Sequence, residues 1–231
     1  MMATLPKLSL TDFDSNENIL LYEKFLKNEI AWLFNEPYPP EVLFIPHAYN
    51  GNFYNTYVQR VRGIFRDLGM NVTLITAGDP VQLIRSAYGI IVGGGDLSRL
   101  LTGIAGYLDV LKEKIQSGTP YLGWNEGSVA ASPYYVVPSI IPVSPRCIGA
   151  IGKQIYCHYV DTTENRIEIE NFLINHAGDT PPVTEVVCTK VTPGGSGIRL
   201  EDDGSTLLDS CILGTVPPLR FIYSKGVMQV Q

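Results

Sequence analysis

Apolar and polar positions divide the chain into short apolar runs that alternate with stretches of helical spacing. Residues 15–34 predict a helix. Ser15 or Asn16 can cap it, and apolar side chains recur at Leu20, Tyr22, Phe25, Leu26, Ile30 and Leu33. Pro37, Pro39 and Pro40 end it. Residues 41–48 (EVLFIPHA) form an apolar run bounded by prolines, the pattern of a buried strand. A helix over 55–69 carries Tyr57, Val61, Ile64, Phe65 and Leu68 on one stripe and stops at Gly69. A strand over 71–77 follows, then a helix over 79–87 that opens with Asp79 as cap and Pro80 in its first turn. Residues 88–95 predict a strand that runs into three glycines. Residues 96–118 read as helical segments containing Gly103 and Gly106, and 119–132 as strand, sharp turn and helix start.

This alternation predicts a parallel sheet covered by helices on both faces, because parallel strands need crossover connections. Residues 133–154 lack a helical period and read as loop and extended chain. Residues 164–177 predict a last amphipathic helix, and 183–230 several short strands with Asp203-Gly204 as a hairpin turn. With no internal repeat and no low-complexity linker, one domain over 1–231 is expected, residues 1–40 being an N-terminal helical segment.

Composition narrows the function. Of 231 residues, 45% are hydrophobic and 17% charged, enough apolar surface for a core. Seventeen basic against 23 acidic side chains leave a net charge of −6, which argues against nucleic acid as a partner. No apolar run reaches the roughly 20 residues of a membrane span. No basic segment precedes an apolar one near the N-terminus, so an intracellular, cytoplasmic location is expected. Cys147, Cys157, Cys188 and Cys211 form no CxxC pair, and histidines number three. Neither a metal site nor a disulfide framework is expected, and no cofactor is implied.

Two glycine-rich turns follow strands, where ligand sites of parallel sheets lie. Gly93-Gly94-Gly95-Asp96 fits neither the dinucleotide nor the nucleoside-triphosphate pattern. Its backbone N–H groups suit an oxyanion hole, or it is a tight turn and nothing more. Gly123-Trp124-Asn125-Glu126-Gly127 has the form of a nucleophile elbow, G-x-S-x-G, with an amide where the nucleophile stands.

FIPHA, IIVGGGD, SGTPYLGWNEGSVAASP and IYCHY followed by TTENRIEIENFL resemble the peptidase E family, the serine-type aspartyl dipeptidases of family S51. The resemblance runs over 41–213 and is strongest over 88–133. It implies a three-layer α/β/α sandwich with a mainly parallel sheet, glutamine amidotransferase-like and akin to flavodoxin. The family's GGGN turn falls on Gly93 to Asp96, its GWSAG elbow on Gly123 to Gly127, and its N-P-H-F segment on Tyr156 to Tyr159. By this resemblance the nucleophilic serine falls on Asn125, the oxyanion donors on Gly95 and Glu126, and the catalytic histidine on His158. The acidic partner falls on Ile140 or, in a later turn, on Gly194, neither of which is acidic. The loop after His158 is about nine residues shorter than the family pattern.

An amide nitrogen has no available lone pair and cannot attack a carbonyl. Removing the nucleophile of a protease triad costs about 10⁶ in turnover. The expectation is therefore a chain that has lost peptidase activity and acts through binding or assembly, with a protein partner or a second copy. The alternative is an active dipeptidase for N-terminal Asp-X substrates that uses another nucleophile with His158. A third reading is a sensor pocket for an amino acid or small peptide. Among possible substitutes, Ser128 lies one turn into the helix after the elbow, and Cys157 is expected to face away from His158 because strand neighbours alternate. Ser132 is expected to be buried and bonded to backbone. A Glu126–His158 pair acting on water, and an Asp96–Glu126 pair in one cleft, are further possibilities. The apolar run Pro133 to Pro142 is either a partner surface or a loop folded over the sheet edge.

Overall fold

A computed structural model of the chain describes residues 7–12, 19–34, 41–49, 51, 54–136, 146–189, 196–202, 207–214 and 217–231. Its main sheet has seven strands in the order β3-β2-β4-β5-β1-β8-β9. These are β1 (Lys7–Asp12), β2 (Glu41–Ile45), β3 (Asn71–Leu74), β4 (Ile90–Val92), β5 (Tyr121–Trp124), β8 (Ser196–Asp202) and β9 (Leu207–Gly214). The pairs β2–β3, β2–β4, β4–β5 and β1–β5 are parallel. The β8–β9 hairpin closes the far side, antiparallel to β1.

The apolar runs are continuous because both faces of the central strands are covered. In β2, Val42 and Phe44 join α1 (Ile19–Phe34) and α2 (Tyr54–Arg66) in one core, with Leu26, Ile30, Val61 and Phe65. Leu43 and Ile45 point the other way. There they meet Ile84 of α3 (Pro80–Ser86), Leu100 of α4 (Leu97–Ile104), Leu111 of α5 (Leu108–Gln116) and Ala130 of α6 (Glu126–Ala130). The three-layer sandwich is thus the one expected. Among the described residues, no helix is long and apolar enough to cross a membrane.

Several local expectations shift. The 71–77 strand ends at Leu74 and turns through a 3-10 helix, Ile75–Ala77, and residues 96–118 are two helices joined by another, Ala105–Tyr107. Asp79 caps α3 by accepting from the Val81 N–H at 3.0 Å, as its sequence signal predicts.

Two expectations are corrected. The N-terminal segment is not purely helical, since β1 sits between β5 and β8. Only Leu8 and Leu10 alternate as apolar residues there; Ser9 and Thr11 are fully buried as well. Ser9 bonds Glu29 Oε2 at 2.6 Å and Thr11 the Gly123 carbonyl at 3.1 Å, so the polar positions carry no cost of unmet bonds. The single sheet is also incomplete as a description. A second sheet, β11-β10-β7-β6, contains β6 (Gln154–Tyr156), β7 (Glu185–Cys188), β10 (Leu219–Ser224) and β11 (Val227–Val230). Helix α7 (Thr163–His176) crosses over between the parallel β6 and β7, and Ile169, Phe172 and Leu173 pack on this sheet in a third core.

Candidate functional site

The site forms at the carboxyl ends of β4, β5 and β6. Between β5 and α6, Asn125 adopts φ 51° and ψ −118°, a conformation sparsely populated by L residues. Neighbouring elements hold it there. The Asn125 N–H donates to the Thr11 carbonyl at 2.8 Å. Tyr121, fully buried, donates its hydroxyl to the Gly127 carbonyl at 2.6 Å. A Cβ at Gly127 would collide with the Val92 carbonyl, so glycine is what lets α6 close on β4.

Ser128 ties the elbow to β1. Its Oγ accepts from the Thr11 N–H at 2.8 Å and lies 2.8 and 2.9 Å from the Thr11 and Gly123 carbonyls. This residue is fully buried and cannot reach a substrate. Ser132 is likewise buried, and its Oγ accepts from the Ile155 N–H at 2.9 Å, as expected.

Gly95 stands at φ 144°, and a Cβ there would collide with the Ala48 carbonyl. Its N–H donates to Glu126 Oε2 at 2.6 Å. The backbone N–H of Glu126 also helps to hold its own carboxyl below the usual value. Of the two backbone donors expected to serve an oxyanion, the Gly95 N–H therefore binds the Glu126 carboxylate. His158 Nε2 lies 3.6 Å from Glu126 Oε1. Burial pushes the Glu126 carboxyl up, but His158 and the two N–H bonds outweigh it and hold the group below its usual value.

The second sheet places His158. Thr189, just past β7, donates its N–H to the Tyr156 carbonyl and accepts from the Tyr159 N–H, each at 2.9 Å. These bonds clamp the two residues between them, and His158 takes φ 58°. The expectation that Cys157 faces away from His158 rests on strand alternation. The strand ends at Tyr156, so alternation no longer applies, and both side chains line one cavity of about 510 Å³. Cys157 Sγ donates to the Asn125 carbonyl at 3.2 Å. Cys147, Cys157 and Cys188 are thiols, not disulfides.

Gly95, Asp96, Glu126, Cys157 and His158 share this cavity with Tyr135 and Tyr156. Burial raises both tyrosine hydroxyls, Tyr156 to about 12, so they stay neutral donors at ordinary pH. Asp96 also caps α4, accepting from the Arg99 N–H at 3.0 Å. Gly95, Glu126 and His158 are thus brought together, with Asn125 next to Glu126 at the elbow. Ile140 and Gly194 lie outside the described residues, as do 137–142 of the apolar run. Of that run, Val136 is buried in the third core and Tyr134 bonds Asp179 at 2.7 Å and stacks on His176, so these two residues pack inward. Sequence reasoning missed the Thr189 clamp and the Thr11 anchor; both rest on backbone atoms that every residue type carries.

The Peptidase family S51 pattern matches residues 16–187, starting and ending earlier than the 41–213 expected. A Peptidase E from Shewanella amazonensis is 37% identical over 126 residues, 52% of this chain and 54% of that protein. A Peptidase E from Nostoc sp. is 30% identical over 184 residues, 73% of this chain and 72% of that protein. The chain thus spans about half the length of the first relative. The crystal structure of a peptidase from an acI-B1 Actinobacterium superposes with a TM-score of 0.62 at 18% identity, covering 99% of this chain and 95% of that one, and shows the shared fold. These findings overturn the expectation that the chain is not an enzyme. The relatives are named as peptidases, and that expectation rested on side chains at single positions, not on any loss of the site. The chain belongs to peptidase family S51.

Proposed function

We propose that the chain hydrolyses short peptides, with N-terminal Asp-X dipeptides as the substrate class that the family points to. The observation that carries this reading is the meeting of His158, the Glu126 carboxylate and the Gly95 N–H in one cavity at the elbow, with His158 Nε2 3.6 Å and the Gly95 nitrogen 2.6 Å from that carboxylate. His158 is the proton carrier: it takes a proton from the attacking group and returns it to the leaving amine. The Gly95 and Glu126 N–H groups receive the oxyanion once the Glu126 side chain swings off them. Asp96 and the displaced Glu126 carboxylate then face the substrate's α-ammonium group. Asn125 takes no part as nucleophile, because its amide lone pair is delocalised.

The test is turnover of Asp-X dipeptides by the purified protein beside His158→Ala. Wild-type hydrolysis that falls by about 10³-fold or more in the variant supports the reading. No wild-type hydrolysis across a dipeptide panel, or equal rates in both proteins, overturns it.

A further inference from the structure

With Asn125 unable to attack, the hydrolase reading leaves the attacking group unnamed. Ser128 is fully buried with its oxygen committed to Thr11 and Gly123. Tyr135 and Tyr156 hold their protons, Tyr156 to about 12. Cys147 is 6% exposed and Cys188 fully buried, each in the core. Cys157 differs from all of these. It is half-buried, it lines the cavity, and its sulfur lies 3.2 Å from the Asn125 carbonyl at the tip of the elbow. The imidazole of the next residue points at Glu126, one residue beyond that tip. Two adjacent residues from the end of β6 thus reach the elbow, the Cys157 sulfur at the Asn125 carbonyl and the His158 imidazole at the Glu126 carboxylate that the Gly95 N–H holds. The Thr189 clamp fixes the backbone on either side of them.

We propose that Cys157 is the nucleophile of this site, with His158 as its base, a reading that rests on the hydrolase function above. His158 removes the Sγ proton, and the sulfur forms a bond to the scissile carbonyl carbon. The carbonyl electron pair moves to oxygen, which the Gly95 and Glu126 N–H groups hold. The tetrahedral intermediate collapses with cleavage of the C–N bond, and His158 gives its proton to the departing amine. Water, deprotonated by the same imidazole, then attacks the thioester and releases the acid and the thiol. A thiol suits the role because it is nucleophilic at neutral pH with help from an adjacent imidazole. The elbow tip then serves as scaffold, while the nucleophile enters from the neighbouring strand.

Two measurements test this. The first needs no turnover. Wild type and His158→Ala are treated with iodoacetamide, and alkylated cysteines are located by peptide mass mapping. Cys157 is expected to react at least about tenfold faster than Cys147 and Cys188, and at least about tenfold slower once His158 is gone. An unmodified Cys157, or a rate indifferent to His158→Ala, overturns the proposal. The second compares Cys157→Ala and Cys157→Ser with wild type on Asp-X dipeptides, with thermal unfolding as the fold control. A loss of about 10³-fold or more in kcat, and an acyl group on Cys157 in acid-quenched wild type, are expected. Turnover within tenfold of wild type in both variants overturns Cys157 as nucleophile and leaves the hydrolase reading intact. Absence of wild-type turnover overturns both.

Discussion

Glu126 folds its side chain back over the elbow that carries it and sets one carboxylate oxygen 2.6 Å from the Gly95 nitrogen. In the proposed hydrolase, the Gly95 N–H that would receive a developing negative charge already holds a resident one. In that reaction a substrate oxyanion and this carboxylate would compete for the Gly95 N–H, so the side chain would have to yield first. For the same proposed hydrolase, Glu126→Ala is expected to tighten binding of an uncharged-tail peptide aldehyde, which becomes a tetrahedral adduct once the nucleophile adds to its carbonyl, by about tenfold. Isothermal calorimetry on wild type and variant reads this directly, and unchanged affinity contradicts competition at the turn.

Acid should destabilise the protein in two steps. His47, half-buried with Nε2 2.8 Å from the Tyr107 hydroxyl, has its pKa lowered from 6.5 by burial. Glu126 titrates below 4.5: burial opposes this, and the His158 and backbone bonds prevail. Both groups bind protons more readily unfolded than folded. Each contribution is therefore complete above the unfolded value and is lost as pH falls through the folded one. Urea unfolding should show stability declining below about pH 6.5 and again below about pH 4.5. His47→Gln should remove the upper step, and Glu126→Gln should shrink the lower, to which Asp67 and Asp179, also held below the usual carboxylate value, contribute.

Ser128→Ala should cost stability and spare chemistry. The Thr11 N–H loses its partner in the buried interior, which costs about 1–3 kcal/mol. In the proposed hydrolase, kcat should stay within about threefold of wild type at a temperature well below unfolding. A loss comparable to that of His158→Ala would return Ser128 to the list of nucleophiles.

One buried ion pair joins α1 to β8 beside the apolar packing of Leu26 and Ile30. Glu29 is 2% exposed and accepts from Arg199 Nη2 at 2.7 Å and from Ser9 at 2.6 Å, while the Arg199 guanidinium lies 4.6 Å from the centre of the Trp32 ring. Arg199→Ala strands a buried carboxylate and should cost about 3 kcal/mol in chemical denaturation. Glu29→Leu combined with Arg199→Met should recover most of that loss, since an apolar pair of similar volume leaves no charge unmatched.

Substrates should need an uncapped amine. Asp96 and Glu126 both line the cavity, and a carboxylate bond to an ammonium group is worth about 1.5–3 kcal/mol. N-acetylation of an Asp-X dipeptide should therefore lower kcat/KM by at least about tenfold, measured by product release. Equal rates for both forms would place the amine outside this cavity.

Sequence alone determined the α/β layering, because the apolar runs of β2, β4 and β5 alternate with amphipathic helices and that period survives any detail of packing. It also determined the elbow and its amide tip, since Gly123, Asn125 and Gly127 are identities read directly from the chain. The polar strand β1 escaped it: Ser9 and Thr11 become core residues only when Glu29 and Gly123, distant in the chain, meet them. The inward fold of Glu126 and the placement of Cys157 and His158 at the elbow escaped it as well. Both depend on backbone torsions, φ 51° at Asn125 and φ 58° at His158, which no side-chain pattern encodes. Tertiary structure alone fixed them, because the bonds that hold them come from the backbones of Thr11 and Thr189, strands away in the fold.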